Sequence, residues 1–299
     1  MKKIPIWLRL GASMYVPSTR DDLLEIANGS KYPTLRSVIF CTEDSILEKD
    51  VAAGLENIKK TVALMRVNPN LLCFVRIRNM DVLNRLIDLP GVEKLTGIVI
   101  PKVTSGNVKE YLDKIKGVDW QVMLTLETSE TFDRHDNELI KNIISSPEYR
   151  DKIATIRIGG NDLMNVMHMR RQKTRTAYES PLRPVIDQLV MIFKPAGFNL
   201  SAPVYEHMDE PAMLAQEAEE DMAHGLFGKT VIHPNQIAIV EAQYKVGRSD
   251  VDVAKAILDS SAPAVFKMNG SMCEPATHRN WANLILDRAE LYGLHDFGH

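Results

Sequence analysis

The sequence predicts an α/β fold, a (β/α)8 barrel with a C-terminal helical extension, on three observations. Short β-rich runs alternate with longer amphipathic stretches eight times over, the order of repeated βα units around a parallel sheet. The strand runs are apolar almost throughout, as in VIF, LLCFV and VMLTL, which suits a sheet covered by side chains within and helices without. The eighth unit ends well before the chain does, so a surplus segment follows the barrel.

Strands are expected at residues 12–16, 37–41, 72–77, 97–100, 121–126, 154–158, 200–204 and 230–232. A helix is expected after each, at 20–27, 46–65, 81–88, 108–115, 137–144, 181–193, 210–223 and 235–244. An open doubly wound sheet is the competing fold, but no GxGxxG follows the first strand. The expected division is a barrel at 1–247 and an extension at 248–299 ending in a long helix at 276–292. Trp281, Leu284 and Ile285 share one face of that helix and need a cover, either their own barrel or a neighbouring subunit.

Composition narrows the function. The 299 residues are 45% hydrophobic and 25% charged, ordinary for a soluble globular protein. A net charge of -3 and a pI near 6.3 give no basic field for phosphate neutralisation, so no nucleic-acid partner is expected. No apolar run reaches membrane-spanning length, and Arg9 interrupts the opening MKKIPIWLRL, so neither membrane nor signal peptide is expected. Cys41, Cys73 and Cys273 lack metal-type spacing and read as reduced thiols, which fits a cytoplasmic location.

Barrels place chemistry where strands end and loops begin. Those positions hold Glu43 with Asp44, Arg76 with Arg78, Lys102, Glu127, Asp162, Glu206 and His233. Glu127 and Asp162 end successive strands, and two such carboxylates suffice for magnesium, which takes its other ligands from water and substrate. Each acid is equally readable as a helix cap. Arg76 closes the apolar string CFVRIRN, where a guanidinium is costly unless it reaches water, an acid or an anionic ligand. Lys102, in IVIPKV, reads as a structural or substrate-orienting lysine ahead of a Schiff-base one. Arg170, Arg171, Lys173 and Arg175 form a basic loop, either a solvated face or a holder for phosphate or CoA. His233 reads as a structural turn ahead of a proton shuttle, and Met164, Met167 and Met169 as core.

These strings resemble the citrate lyase beta-subunit family of the HpcH/HpaI aldolase superfamily, in its divergent carbon–carbon lyase branch. SMYVPSTRDD is similar to the family's first-strand motif, placing Arg20 on its arginine, and VIFCTEDSI to its second, with Glu43 and Asp44 on the acid pair. FVRIRN sets Arg76 on the substrate arginine, and IVIPKV matches Leu-Pro-Lys-Val. LTLETSE and IGGNDLM resemble the two metal-ligand motifs, and GKTVIHPNQI resembles a final Ile-His-Pro string. The matches run in order from Tyr15 to Ile237. Departures fall at Cys41 and Thr42, at Arg78, and in FKMNGSMCEP, where Asn269 replaces an aspartate and weakens thioester chemistry that needs that base.

The resemblance implies a TIM-barrel lyase with Mg2+ as cofactor, held by Glu127 and Asp162. Aldol or Claisen-type cleavage or condensation of a 2-oxo acid or hydroxyacyl-type substrate is implied, with a CoA-linked partner left open. Arg76, Glu43 and Asp44 would be catalytic; Arg20, Arg76 and Lys102 would bind the carboxylate substrate; the general base is unassigned. A homo-oligomer, with a trimer favoured, is implied by the resemblance, in which the surplus tail caps a neighbouring barrel mouth. The alternative is a noncatalytic or regulatory barrel subunit that retains the metal and carboxylate site.

Overall fold

The computed structural model describes residues 4–295. A short helix α1 (Ile6–Arg9) precedes the barrel units β1 (Ala12–Pro17), α2 (Leu23–Ala27), β2 (Ser37–Cys41), α3 (Val51–Leu64), β3 (Leu72–Arg76) and α4 (Met80–Ile87). Next come β4 (Gly97–Ile100), α5 (Val108–Lys114), β5 (Gln121–Leu126), α6 (Arg134–Ile144), β6 (Ile153–Ile158), α7 (Gly160–Val166) and α8 (Leu182–Phe193). The barrel ends with β7 (Leu200–Ser201), α9 (Pro211–Ala223), β8 (Lys229–Val231) and α10 (Asn235–Ala242). The extension holds α11 (Arg248–Leu258), a hairpin of β9 (Phe266–Met268) and β10 (Ser271–Cys273), and α12 (Pro275–Tyr292).

All eight barrel strands are parallel neighbours in one sheet, in the order β7-β6-β5-β4-β3-β2-β1-β8. The expected (β/α)8 architecture is therefore present. Its seam is thin: β7 and β8 meet through the single bridge Ala202 to Lys229, with Ala202 N–H donating to Gly228 O at 2.8 Å. The expected strand at 200–204 shrinks to two residues, because Pro203 offers no N–H to a ladder. The second helix starts three residues later than expected, and α7, α11 and the hairpin were not foreseen.

Apolar side chains fill both faces of the sheet. Inside, Leu10, Ile39, Leu72, Phe74, Val99, Met123 and Ala154 plug the lower barrel; outside, the strands pack on the helices through a larger core. At 3.3 Å per residue, the plug holds the top of each strand one layer above it. The extension has a separate cluster of Val246, Val251, Ala254, Ile257, Cys273, Ala282 and Ile285. It also packs on its own barrel, since Tyr292 Oη donates to Leu8 O at 2.6 Å and Arg36 donates to Leu291 O at 2.6 Å. Among the described residues no helix is long and apolar enough to cross a membrane.

Candidate active site

Above the plug, the strand ends surround a cavity of about 450 Å³ whose lining includes Tyr15, Arg76, Thr125, Glu127, Arg157 and Asp162. Arg76 is the last residue of β3 and is buried. One of its terminal nitrogens lies 2.8 Å from Glu43 Oε2, 2.8 Å from Glu127 Oε1 and 3.5 Å from Asp44 Oδ2. Glu43 and Asp44 follow β2 directly, so β2 and β3 as neighbours bring the acid pair to the arginine. Arg76 thus reaches the acids that its place in an apolar strand calls for, Glu43 and Glu127 both.

Lys102 gathers the same acids from the next unit. Its ammonium pairs with Glu43 and lies 3.5 Å from Asp44 Oδ1, and its backbone N–H donates to Glu127 Oε1 at 2.9 Å. That N–H is aimed by a left-handed backbone at Lys102, φ 51°, a conformation that a lysine holds only when its surroundings enforce it. The carboxylate neighbours hold the ammonium above its ordinary range despite partial burial, which keeps it protonated rather than poised as a Schiff-base nucleophile.

Glu127 follows β5 and is 3% exposed. Its Oε1 takes both hydrogen bonds just described; among the described residues no hydrogen bond reaches Oε2. Oε2 lies over Gly159, where a Cβ would come within 2.5 Å of it, so β6 and α7 can approach only because that residue is glycine. This approach brings Asp162, in the first turn of α7, to the same cavity. Burial pushes the Glu127 carboxyl up to about 7, with Arg76 opposing and the charge of Asp162 adding. Burial, with Asp44 adding, also raises Glu43; Asp44 sits below its ordinary range because contact with Glu43 and the charges of Arg76 and Lys102 outweigh burial.

A hard cation fits this donor set: two carboxylates close enough to disfavour each other's charge, one with an oxygen free of hydrogen bonds. Among the described residues no group of three or more His, Cys, Asp or Glu is placed to share a metal, so the remaining ligands would be water and substrate oxygens.

Arg20 is not brought to the cavity. It pairs with Asp22 at 2.6 and 2.9 Å and is largely solvated. Arg78, where the chain departs from the family strings, donates to the carbonyls of Thr42, Glu43 and Ile46 at 3.1, 2.9 and 2.8 Å, bracing the loop that carries the acid pair. His233 Nδ1 accepts from Asn235 N–H at 3.2 Å, the structural turn that was expected. The basic loop is divided. Arg171 is buried against Glu217 and is no solvated charge, while Arg170 pairs with Glu206 at 2.9 Å on the surface. The lining residues that the sequence reading missed include Tyr15 and Arg157. Arg157 stands in TIRIGG as Arg76 stands in FVRIRN, an arginine inside an apolar strand, and that signal was available.

Comparisons with known proteins agree with this fold. Over 246 residues the chain is 22% identical to a (3S)-malyl-CoA thioesterase of Cereibacter sphaeroides, covering 81% of this chain and 79% of that protein. It is 32% identical to the citrate lyase subunit beta of Escherichia coli K12 over 108 residues, 34% of this chain and 35% of that one. Among solved structures, CitE from Mycobacterium tuberculosis in complex with magnesium, acetoacetate and coenzyme A superposes with a TM-score of 0.70 at 20% identity, covering 95% of this chain and 99% of the other. A family model, C-C_Bond_Lyase of the TIM-Barrel fold, matches residues 5–294. With eight parallel strands, a cavity at their C-terminal ends and a match over nearly its whole length, the chain belongs to the carbon–carbon bond lyase family of TIM-barrel fold.

Proposed function

We propose that the chain is a magnesium-dependent lyase that makes or breaks a carbon–carbon bond beside a 2-oxo or 2-hydroxy acid unit. The observation that carries this is the Glu127 carboxylate, with Oε1 held by Arg76 and the Lys102 N–H, Oε2 free of hydrogen bonds among the described residues, and Asp162 lining the same cavity. Glu127 and Asp162 would hold the ion, which when bound supplies Lewis-acid polarisation of a substrate carbonyl or hydroxyl oxygen. Arg76 binds the substrate carboxylate. Its Nε–H is a buried donor without a partner, and a carboxylate oxygen would satisfy it. Glu43 and Asp44, held by Lys102 and Arg76, orient water at the rim, and the fixed charge of Arg76 stabilises negative charge that grows on the cleaving fragment.

An open mouth favours an enzyme over the noncatalytic or regulatory subunit that is the alternative. A CoA-linked substrate is supported by the printed names of relatives, a malyl-CoA thioesterase and a CitE complex with coenzyme A, and by nothing in the cavity itself. The cytoplasmic reading rests on three buried free cysteines. Assembly into a trimer, with the extension covering a neighbour's barrel mouth, is supported by Val265, Met272 and Trp281, large apolar residues exposed on the extension.

The test is calorimetric titration of magnesium, with and without a 2-oxo acid, into the wild type, Glu127→Gln and Asp162→Asn. Binding is expected in the wild type and lost in both variants. Unchanged binding in both sinks the metal assignment. A screen of free 2-oxo acids against acyl-CoA partners, under magnesium and under chelator, then separates lyase from thioesterase.

A further inference from the structure

The floor of the cavity holds a second guanidinium that the reading above does not use. Arg157 lies on β6, one residue before the strand's end, paired in register with Thr125 of β5. It is 2% exposed, yet it lines the cavity. Below it sits the apolar plug, which it touches through Met123 Sδ at 3.5 Å. Its other terminal nitrogen donates to Thr230 Oγ1, and the guanidinium faces the Tyr15 ring at 5.2 Å. Among the described residues no carboxylate pairs with it. This contrasts with Arg76, whose carbon lies 5.6 Å from the same ring and which has three acids within reach.

A buried arginine without an acid is costly, since a sulfur, a hydroxyl and a ring face supply no counter-charge. Beside it, Thr125 Oγ1 is a buried hydroxyl without a hydrogen-bond partner among the described residues, and Thr125 too lines the cavity. Both residues line the same open cavity, into which an anion can come. Because both guanidinium carbons lie so close to one ring, their separation is within the span of a four-carbon diacid held at its two ends.

We propose that Arg157 is the specificity-determining residue of this cavity: it receives a second carboxylate, so the site takes dicarboxylic 2-oxo or 2-hydroxy acids in preference to monocarboxylic ones. The inference rests on the proposed function, in which Arg76 receives the first carboxylate and Glu127 and Asp162 would hold the magnesium ion beside it. Thr125 Oγ1 donates to the same second carboxylate, and the Tyr15 ring lies beside both guanidiniums. Magnesium and the first carboxylate set where the reacting carbon lies; Arg157 sets what is attached beyond it.

The experiment compares malate with 2-hydroxybutyrate, which carries a methyl in place of the second carboxylate, by calorimetry with magnesium present. The wild type is expected to bind malate at least about ten-fold more tightly, a charge-assisted bidentate contact being the difference. In Arg157→Met, of similar volume and without the buried charge, the preference should vanish while 2-hydroxybutyrate affinity stays within about two-fold. Arg157→Lys keeps the charge but not the fork and should retain only part of the preference, so it serves if the methionine variant does not fold. A wild type with no preference, or a preference kept in the variants, overturns the assignment of Arg157. A wild type that binds neither acid overturns the reading on which it rests. Tight binding of both acids, with only the preference absent, leaves that reading standing and removes Arg157 alone.

Discussion

Two arginines that look alike in the sequence strings behave differently in the fold. Arg76 is buried and paired to Glu43 and Glu127 at 2.8 Å each, so Arg76→Met leaves two buried carboxylates facing each other. A loss of about 3–5 kcal/mol in urea denaturation is expected, together with loss of 2-oxo acid binding. Its three acid contacts tie Arg76 into the fold as well as into the cavity. Arg20 is the counter-case, a solvated pair with Asp22 outside the cavity. Arg20→Ala should change stability by under about 1 kcal/mol and leave carboxylate binding unaltered; a drop in binding would restore it to the site. Arg78 lies between these two. Removing its three bonds to the Thr42, Glu43 and Ile46 carbonyls in Arg78→Met should cost about 1–3 kcal/mol and weaken ligand binding through the loosened acid pair, read by melting temperature and by calorimetry.

At the scale of elements, the weak seam between β7 and β8 is secured by charge rather than by ladder. Lys229, on β8 and fully buried, lies 2.9 Å from Glu217 and 2.7 Å from Asp221 of α9; Tyr178 also donates to Asp221, and Arg171 pairs with Glu217. This network ties the loop after α7 to α9 and to the strand that closes the barrel. Lys229→Met leaves Asp221 buried without its cation and Glu217 with Arg171 alone, and a loss of about 3–5 kcal/mol in denaturant is expected. A variant as stable as the wild type would place the barrel's closure elsewhere. The hairpin of the extension follows a simpler rule. Asn269 and Gly270 both have positive φ, 48° and 82°, the two-residue turn for which Asn-Gly is the preferred pair. Asn269 was weighed as a replaced catalytic aspartate; in the fold it is a turn residue whose amide donates to Ser249 Oγ at 2.8 Å.

For the whole molecule, several buried groups lean the same way with pH. Burial raises Tyr178, Tyr244 and Tyr292 above the ordinary tyrosine range and pushes Cys73 up to about 12; Lys229 is raised by Asp221 and Glu217, which outweigh its burial. Each holds in the folded state a proton that the unfolded chain releases once its ordinary pKa, near 9 for the thiol and near 10 for the others, is passed. Their contribution to stability is therefore complete below about pH 9 and is lost as pH rises beyond it, by up to about 1.4 kcal/mol per unit for each group. Urea midpoints at pH 8 and 10.5 test this; equal midpoints would contradict the burial of these residues. Truncation after Gly247 should also destabilise the barrel, because Tyr292 and Leu291 bond back to Leu8 and Arg36. Light scattering of the intact chain tests the trimer: a monomer across micromolar concentrations rejects it, and the extension then serves its own barrel alone.

The strands, the eightfold order and the acids at the strand ends were legible in the sequence, because apolar runs of strand length and polar residues at their ends are local properties of the chain. So was Asn-Gly as a hairpin turn, although it passed unread. Three things required the tertiary structure. Pro203 ends β7 early, and only the neighbouring ladders show that one bridge suffices for closure. Arg76 and Arg157 sit in similar strings, and which one has acids beside it depends on which strands are neighbours, since Glu43 reaches Arg76 across β2 and β3 and, among the described residues, no carboxylate pairs with Arg157. Glu127 and Asp162 meet because Gly159 lacks a side chain, a distance set by packing rather than by spacing. Local composition determined what each segment would be. Burial and partners, which depend on residues far apart in the chain, decided which charges are spent within the protein and which are left to face a ligand.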